Sequence, residues 1–266
     1  MSDSVLLRDD SAGIATLTLN APQSLNALSN AMLAALSEQL AALAADRSIR
    51  VVILRANGRA FCAGHDLREM QAARAAPDHG AAAFADLFQR CAAVMQALIA
   101  LPQPVIAEVH AIAAAAGCQL VASCDMVVAS DQARFGVNGV NIGLFCSTPM
   151  VALTRKVPPA IAFEMLTTGT FLDAARAHEV GLVNHVTSPD DLQARTRALA
   201  ETVAAKLTAA VKIGKSAFYD QIGLPLDQAY AQTGQVMVEN MLWRDTDEGI
   251  RAFLEKRPPD WAEGQD

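Results

Sequence analysis

The stretch Pro104-Val-Ile-Ala-Glu-Val-His-Ala-Ile-Ala-Ala-Ala-Ala-Gly-Cys-Gln-Leu-Val-Ala-Ser-Cys-Asp125 decides how the rest of the chain reads. Its opening, Val105-Ile-Ala-Glu-Val109, is a short apolar run of the kind that fills a buried strand. Small residues run from Ala113 to Gly117, and a helix follows. Small side chains at a helix start permit close approach of a ligand, and the free N–H groups and helix dipole there favour negative charge. Tight helix-to-strand packing also wants alanines, so this stretch alone leaves both uses open. Upstream, Val51-Val-Ile-Leu54 is a second buried-strand run, feeding the loop Gly58-Arg-Ala-Phe-Cys-Ala-Gly-His-Asp-Leu67. A glycine in such a loop lets a backbone N–H turn toward a ligand. An ordinary strand-to-helix connection would look the same.

Further out, Met126-Val-Val-Ala129 predicts another strand, and Ile14-Ala-Thr-Leu-Thr-Leu19 alternates like an early one. Leu33, Leu36, Leu40 and Leu43 repeat at helical spacing behind Ser29, a suitable N-cap. Strands alternating with helices imply a largely parallel α/β core. Gln71 to Ala83, rich in alanine with Pro77 and Gly80, reads as a mobile loop or a frayed helix. Such variable loops gate pockets, and ligand selectivity is expected to respond to this one. After about residue 190 strand signals stop, Ser188-Pro189 suits a helix start, and helices continue with a break near Gly223-Leu-Pro225. The expected division is therefore a core over 1–190 and a helical region over 191–266.

With 266 residues, 52% of them hydrophobic, the chain can bury one large core with a small appendage. No apolar run approaches the roughly 20 uncharged residues of a membrane span. The start, Met1-Ser-Asp-Ser, lacks the basic amphipathic character of a targeting segment. Five cysteines are scattered without a CxxC pair, which suggests neither a disulfide framework nor a metal site. A reducing cytoplasm is the expected compartment. The net charge of −7 works against nucleic acid and membrane surfaces, and an anionic ligand would need a local basic patch.

The loop Phe61 to Leu67 and the segment 104–125 together resemble the crotonase superfamily, the enoyl-CoA hydratase/isomerase family. Asn20 to Leu28, Ala133-Arg-Phe-Gly136, Glu179-Val-Gly-Leu-Val-Asn184 and Ala252-Phe-Leu-Glu-Lys-Arg257 match further family signatures in order, so the resemblance covers nearly the whole chain. Gly117 to Asp125 and Gly143-Leu-Phe-Cys-Ser-Thr-Pro149 look most like the enoyl-CoA hydratase domain-containing subgroup. The resemblance implies a crotonase-like (ClpP/crotonase) α/β spiral of ββα units, with a C-terminal helical trimerisation region and a homotrimer or homohexamer. It implies an acyl-CoA substrate that carries its own coenzyme A, with no further cofactor and no metal. The backbone N–H groups of His65 and Ala116 would form an oxyanion hole for the thioester carbonyl. CoA would lie along Ser24 and Leu25, with Ala63 meeting the adenine and Gly64, Asp66, Leu67 and Gly117 around it. Phe253 would shape the pocket, and Lys256 would meet the phosphates.

The resemblance also places Gln119 and Gly139 where family hydratases carry their two glutamates. An amide cannot exchange a proton near neutral pH, and glycine has no side chain. General acid–base help is worth roughly 10²–10⁴ in rate, so ordinary hydration should be crippled. Substitutes in the right segments are Asn141, Cys146, Ser147, His65 and His110. His110 follows a strand and reads as structural, and Glu108 in that strand could face core or pocket. Cys118 and Cys124 read as small packing groups, and Asp66 and Asp125 as loop caps or braces. An acyl-CoA enzyme of hydration, isomerisation or related enolate chemistry leads, and a non-catalytic acyl-CoA-binding or regulatory homologue is the alternative. A protease set of His110, Ser147 and Asp173 has no nucleophile motif. A dinucleotide fold is disfavoured by the lack of GxGxxG after a strand.

Overall fold

The computed structural model describes residues 4–261. A first hairpin pairs β1 (Leu6–Ser11) with β2 (Ile14–Leu19) in antiparallel register. Helix α1 (Asn30–Ala45) starts at Ser29, whose hydroxyl accepts the Met32 N–H at 3.2 Å, and buries Leu33, Leu36, Leu40 and Leu43 as their spacing requires. Then come β3 (Val51–Ala56), β4 (Ala60–Cys62), α2 (Leu67–Ala73) and α3 (Ala81–Ala100). The next turn holds β5 (Val105–Val109), β6 (Ile112–Ala114) and α4 (Ala116–Ala122), followed by β7 (Met126–Ser130), β8 (Arg134–Gly136) and α5 (Ser147–Leu153). Helix α6 (Pro159–Thr168), β9 (Leu172–Asp173), α7 (Ala174–Glu179) and β10 (His185–Thr187) complete the strands.

The two strands of each turn divide between two sheets. β3, β5 and β7 enter a six-stranded sheet of order β1-β2-β3-β5-β7-β10, whereas β4, β6 and β8 enter a four-stranded sheet of order β4-β6-β8-β9. The β3, β5 and β7 pairings are parallel, and these strands are buried almost throughout, which is why they read as continuous apolar runs rather than alternating ones. This is the expected mixed α/β spiral.

The segment Gln71–Ala83 is more ordered than its composition suggests. α2 continues to Ala73, α3 begins at Ala81, and the link between is a set of turns pinned by Asp78, which accepts the N–H groups of Gly80 and Ala82 at 3.0 and 2.9 Å. These bonds hold the Asp78 carboxyl below its ordinary pKa. α3 has the length and apolarity of a membrane span, but it carries Asp86 and Arg90 and packs one face, with Leu87, Cys91, Val94, Met95 and Leu98, into the core.

The chain divides into two compact units, 1–201 and 202–266. Strands do stop near residue 190, yet α8 (Leu192–Ala204) belongs largely to the first unit, where Thr196 and Ala200 are fully buried. The second unit holds α9 (Thr208–Gln221), α10 (Leu226–Met241) and α11 (Arg244–Glu255), and Pro225 caps α10 after the expected break.

Candidate active site

The site is built where the 20–28 segment meets the loop after β4. Asn26 is fully buried and its side chain is satisfied at both ends: Oδ1 accepts the Ala21 N–H at 2.8 Å, and Nδ2 donates to the carbonyls of Asn57 and Ala60 at 2.7 and 2.9 Å. The main chain adds Ala63 N–H to Leu25 at 3.1 Å and Leu28 N–H to Gly64 at 2.7 Å. These bonds seat Ser24 and Leu25 beside Ala63. Gly64 has φ +98°, and a Cβ there would stand 3.0 Å from the Ala115 methyl group and 3.4 Å from the Ala116 nitrogen. Glycine thus lets the β4 loop lie directly on the start of α4. Ala115 itself is held at φ 49°, ψ −118°, a conformation L residues avoid and one that stores about 1–3 kcal/mol of strain. It sets the turn from which Ala116 begins the helix.

Two cavities open on this junction. The first, about 290 Å³, has mostly apolar walls that include Met70, Phe88, Ala116, Leu144 and Phe145. The second, about 330 Å³, is lined by Ser24, Leu25, Asp66, Arg59 and Arg68 among others. Ala63, His65 and Leu67 line both. Among the described residues, the N–H groups of His65 and Ala116 donate to no protein acceptor, and both residues line the apolar cavity. Unpaired buried N–H groups are rare and costly, so two at one cavity point to an outside acceptor.

Among the described residues no carboxylate lines the apolar cavity, and its titratable groups are His65 and Cys146. The His65 ring stacks edge-on against Phe88 at 5.7 Å. Its Nδ1 lies 3.4 Å from the Leu28 carbonyl, an acceptor only, which assigns the proton to Nδ1 and a lone pair to Nε2. Nε2 has no partner among the described residues, and burial pulls the imidazole below its ordinary pKa, so it is neutral at pH 7. Burial raises the Cys146 thiol, although a bond from the Gly139 backbone partly opposes this.

The residues expected to carry chemistry fall into distinct groups. His65, Ala116 and Gly139 line the apolar cavity, and Ser24, Leu25, Ala63, Asp66 and Leu67 line the second. Gln119 lines neither; it is buried in α4 with Oε1 unpartnered. Gly117 serves close packing rather than a cavity wall, since a Cβ there would stand 2.2 Å from the Cys62 carbonyl oxygen. Gly139 lines the wall from inside a closed turn, where a Cβ would meet the Leu144 oxygen at 2.3 Å and the Cys146 sulfur at 2.8 Å. Phe253 and Lys256 belong to the second unit; the former is exposed, and the latter ends α11 in a left-handed conformation. Asp66 caps α2 through the Arg68 and Glu69 N–H groups, and Asp125 accepts the Val105 N–H at 2.6 Å.

The other substitutes lie elsewhere. Glu108 is buried in β5, bonded to Thr196 and facing Arg55, with burial raising its pKa. His110 Nε2 bonds the Gly58 carbonyl at 2.8 Å, and Asp173 caps α7 through the Arg176 N–H. Ser147 alone of the protease set lines the cavity, so no triad forms. Cys118 and Cys124 are wholly buried. Residues missed by sequence reading are Arg59, Arg68, Ala115, Met70 and Phe88. The two arginines supply the local positive charge that an acidic chain needs for an anion. Their signal was present, since both flank the recognised loop. Among the described residues no group of three metal-ligating side chains forms.

A two-sheet ββα spiral with a helix-start cavity beside the β4 loop defines a crotonase-type protein, and the chain belongs to the enoyl-CoA hydratase/isomerase family, which matches residues 9–264. Among particular relatives, it is 45% identical over 250 residues to human "Enoyl-CoA hydratase domain-containing protein 3, mitochondrial", covering 94% of this chain and 81% of that one. The crystal structure of that human protein superposes with a TM-score of 0.92 at 43% identity, covering 97% of this chain and 100% of the other. A crystal structure of an enoyl-CoA hydratase from Mycobacterium smegmatis gives 0.94 at 53% identity, covering 97% and 99%. These likenesses place the chain with the enoyl-CoA hydratase domain-containing subgroup. The expected cytoplasmic location is overturned: similar relatives from human, Xenopus laevis and Danio rerio are all named mitochondrial. Scattered cysteines without a CxxC pair argue against a disulfide framework but do not distinguish one reducing compartment from another.

Proposed function

We propose that this protein binds an acyl-CoA thioester with the carbonyl oxygen between the N–H groups of His65 and Ala116, and that it does not add water by the two-carboxylate route. The observation that carries this reading is the pair of N–H groups without acceptors on residues that line one apolar cavity. Donors fixed in a dry site stabilise the oxyanion of an enolate or tetrahedral species, each worth about 10²–10³ in rate where chemistry follows. The second cavity, with Arg59, Arg68 and the Ser24-Leu25 backbone, suits the phosphates and the pantetheine arm. The acyl chain occupies the apolar cavity.

Hydration is disfavoured on two grounds. Among the described residues no carboxylate lines the cavity, and the Gly139 turn has no room for one. Where proton transfer occurs, the His65 Nε2 lone pair is the acceptor this reading assigns, because the imidazole is neutral and Nε2 has no partner among the described residues. The closed Gly139 turn also favours a second reading, a binder that holds acyl-CoA without turnover. Association of copies fits the second unit, where Leu226, Leu242, Phe253 and Leu254 are more than 70% exposed. Sedimentation would show whether these faces assemble a trimer or a hexamer.

Calorimetry comparing butyryl-CoA with the S-butyl thioether, which lacks the carbonyl, tests the oxyanion pair. Loss of two hydrogen bonds should weaken binding by about tenfold. Equal affinity would refute the carbonyl contact.

A further inference from the structure

We infer that Met70 is a movable partition that sets the acyl chain length this site accepts, and that a second, polar chamber lies behind it. The partition presupposes the acyl-CoA binding proposed above. Met70 lies on α2 and is half-buried. It lines the apolar cavity, and it equally lines a separate cavity of about 290 Å³ walled by α2, α3 and Asn30. One side chain therefore faces two chambers. A methionine is unbranched, with three rotatable bonds, and can swing aside where a β-branched residue could not.

The walls around it are braced. Asp78 fixes the turn between α2 and α3 through Gly80 and Ala82, and the Arg74 guanidinium sits over the Phe84 ring at 5.5 Å. A Cβ on Gly80 would stand 2.9 Å from that same ring, so the turn packs tightly on Phe84. Phe88, the neighbouring wall, is held edge-on by His65. Met70 packs against the core by apolar contact alone, with no side-chain hydrogen bond or ring contact among the described residues.

The second chamber differs chemically from the first. Glu69 accepts the Asn30 N–H at 2.9 Å, and Arg90 donates to Asp86 at 2.7 Å and to the Asn30 side chain. Two carboxylates stand against one guanidinium, a balance that repels a carboxylate and accepts a neutral hydrogen-bonding group. The ligand class is an acyl-CoA whose chain exceeds the apolar cavity and whose far end is neutral and polar, such as an ω-hydroxyl.

Calorimetry decides this with butyryl-, octanoyl- and dodecanoyl-CoA, plus ω-hydroxy- and ω-carboxydodecanoyl-CoA, on the unmodified protein, Met70→Ala and Met70→Trp. Met70→Ala should tighten the longer chains by up to about fourfold for each additional methylene buried, and leave butyryl-CoA within about twofold. Met70→Trp should weaken dodecanoyl-CoA by at least about tenfold while butyryl-CoA still binds. Either variant alone is decisive if the other does not fold. Butyryl-CoA bound normally, with one chain-length profile shared by all the proteins, would overturn the partition. An ω-carboxylate bound as tightly as an ω-hydroxyl would overturn the polar chamber. Failure of the unmodified protein to bind any of the five would instead overturn the acyl-CoA reading and the partition with it.

Discussion

Placing carboxylates at the two family acid positions, by Gln119→Glu and Gly139→Glu, is the obvious way to restore hydration, and the structure predicts that it fails. The obstacle at 139 is backbone. The first atom of any side chain would lie 2.3 Å from the Leu144 carbonyl oxygen and 2.8 Å from the Cys146 sulfur. Ordinary contact needs roughly 3.5 Å, so the oxygen must retreat by about 1 Å. That turn is closed by the Leu144 N–H bonding the Gly139 carbonyl at 3.0 Å, and the retreat breaks it. Overpacking plus one lost hydrogen bond should cost about 2–4 kcal/mol, already present in Gly139→Ala. At 119 the obstacle is solvation: Oε1 is buried without a partner, so an added carboxylate would take up a proton rather than charge. Urea unfolding of Gly139→Ala, Gly139→Glu and Gln119→Glu measures the costs, and loss of enoyl absorbance measures hydration. Parental stability in Gly139→Glu, with hydration in the double variant, would refute the closed turn.

Three other predictions are independent of that turn. Gly117→Ala should destabilise the protein by at least about 3 kcal/mol and abolish ligand binding with it, because its methyl group meets the Cys62 carbonyl, as urea titration would show. Arg59→Ala and Arg68→Ala should each weaken CoA-ester binding by about two- to fivefold and flatten its salt dependence, yet leave an acyl-pantetheine thioester unaffected; calorimetry in two salt concentrations reads both. His65 has its pKa lowered by burial, so the unfolded chain takes up its proton first as pH falls. Its contribution is complete above the unfolded pKa near 6.5 and is lost as pH drops toward the folded value. Thermal melts at pH 7.5 and 5.5 should therefore show a smaller acid loss in His65→Phe than in the parent.

Much of the fold was legible because buried strands announce themselves. Val51 to Leu54 and Val105 to Val109 are apolar on both faces, and Ser29 is a cap whose bond the structure contains. The division of strands into two sheets was not readable from periodicity, since β4, β6 and β8 have three residues each. The 71–83 segment misled because α2 and α3 meet in a turn whose order comes from Asp78 and the Arg74–Phe84 contact rather than from composition. Gly139 was legible as a missing acid but not as a closed position, because the Leu144 oxygen reaches it only through the folded turn. Gln119 was read as a site residue, and it lies buried in α4 outside the walls of both cavities, a placement that the sequence could not give. Arg59 and Arg68 were passed over because side-chain direction at the ends of a loop depends on how Asp66 caps α2.

The most direct measurement pairs calorimetric binding of crotonyl-CoA with its enoyl absorbance under the same conditions. Saturable binding with absorbance unchanged over many hours is the predicted result, since on the proposed reading two N–H donors would hold the carbonyl and, among the described residues, no carboxylate lines the apolar cavity to serve the water. Rapid loss of absorbance by the unmodified protein, or no heat of binding at all, would contradict it.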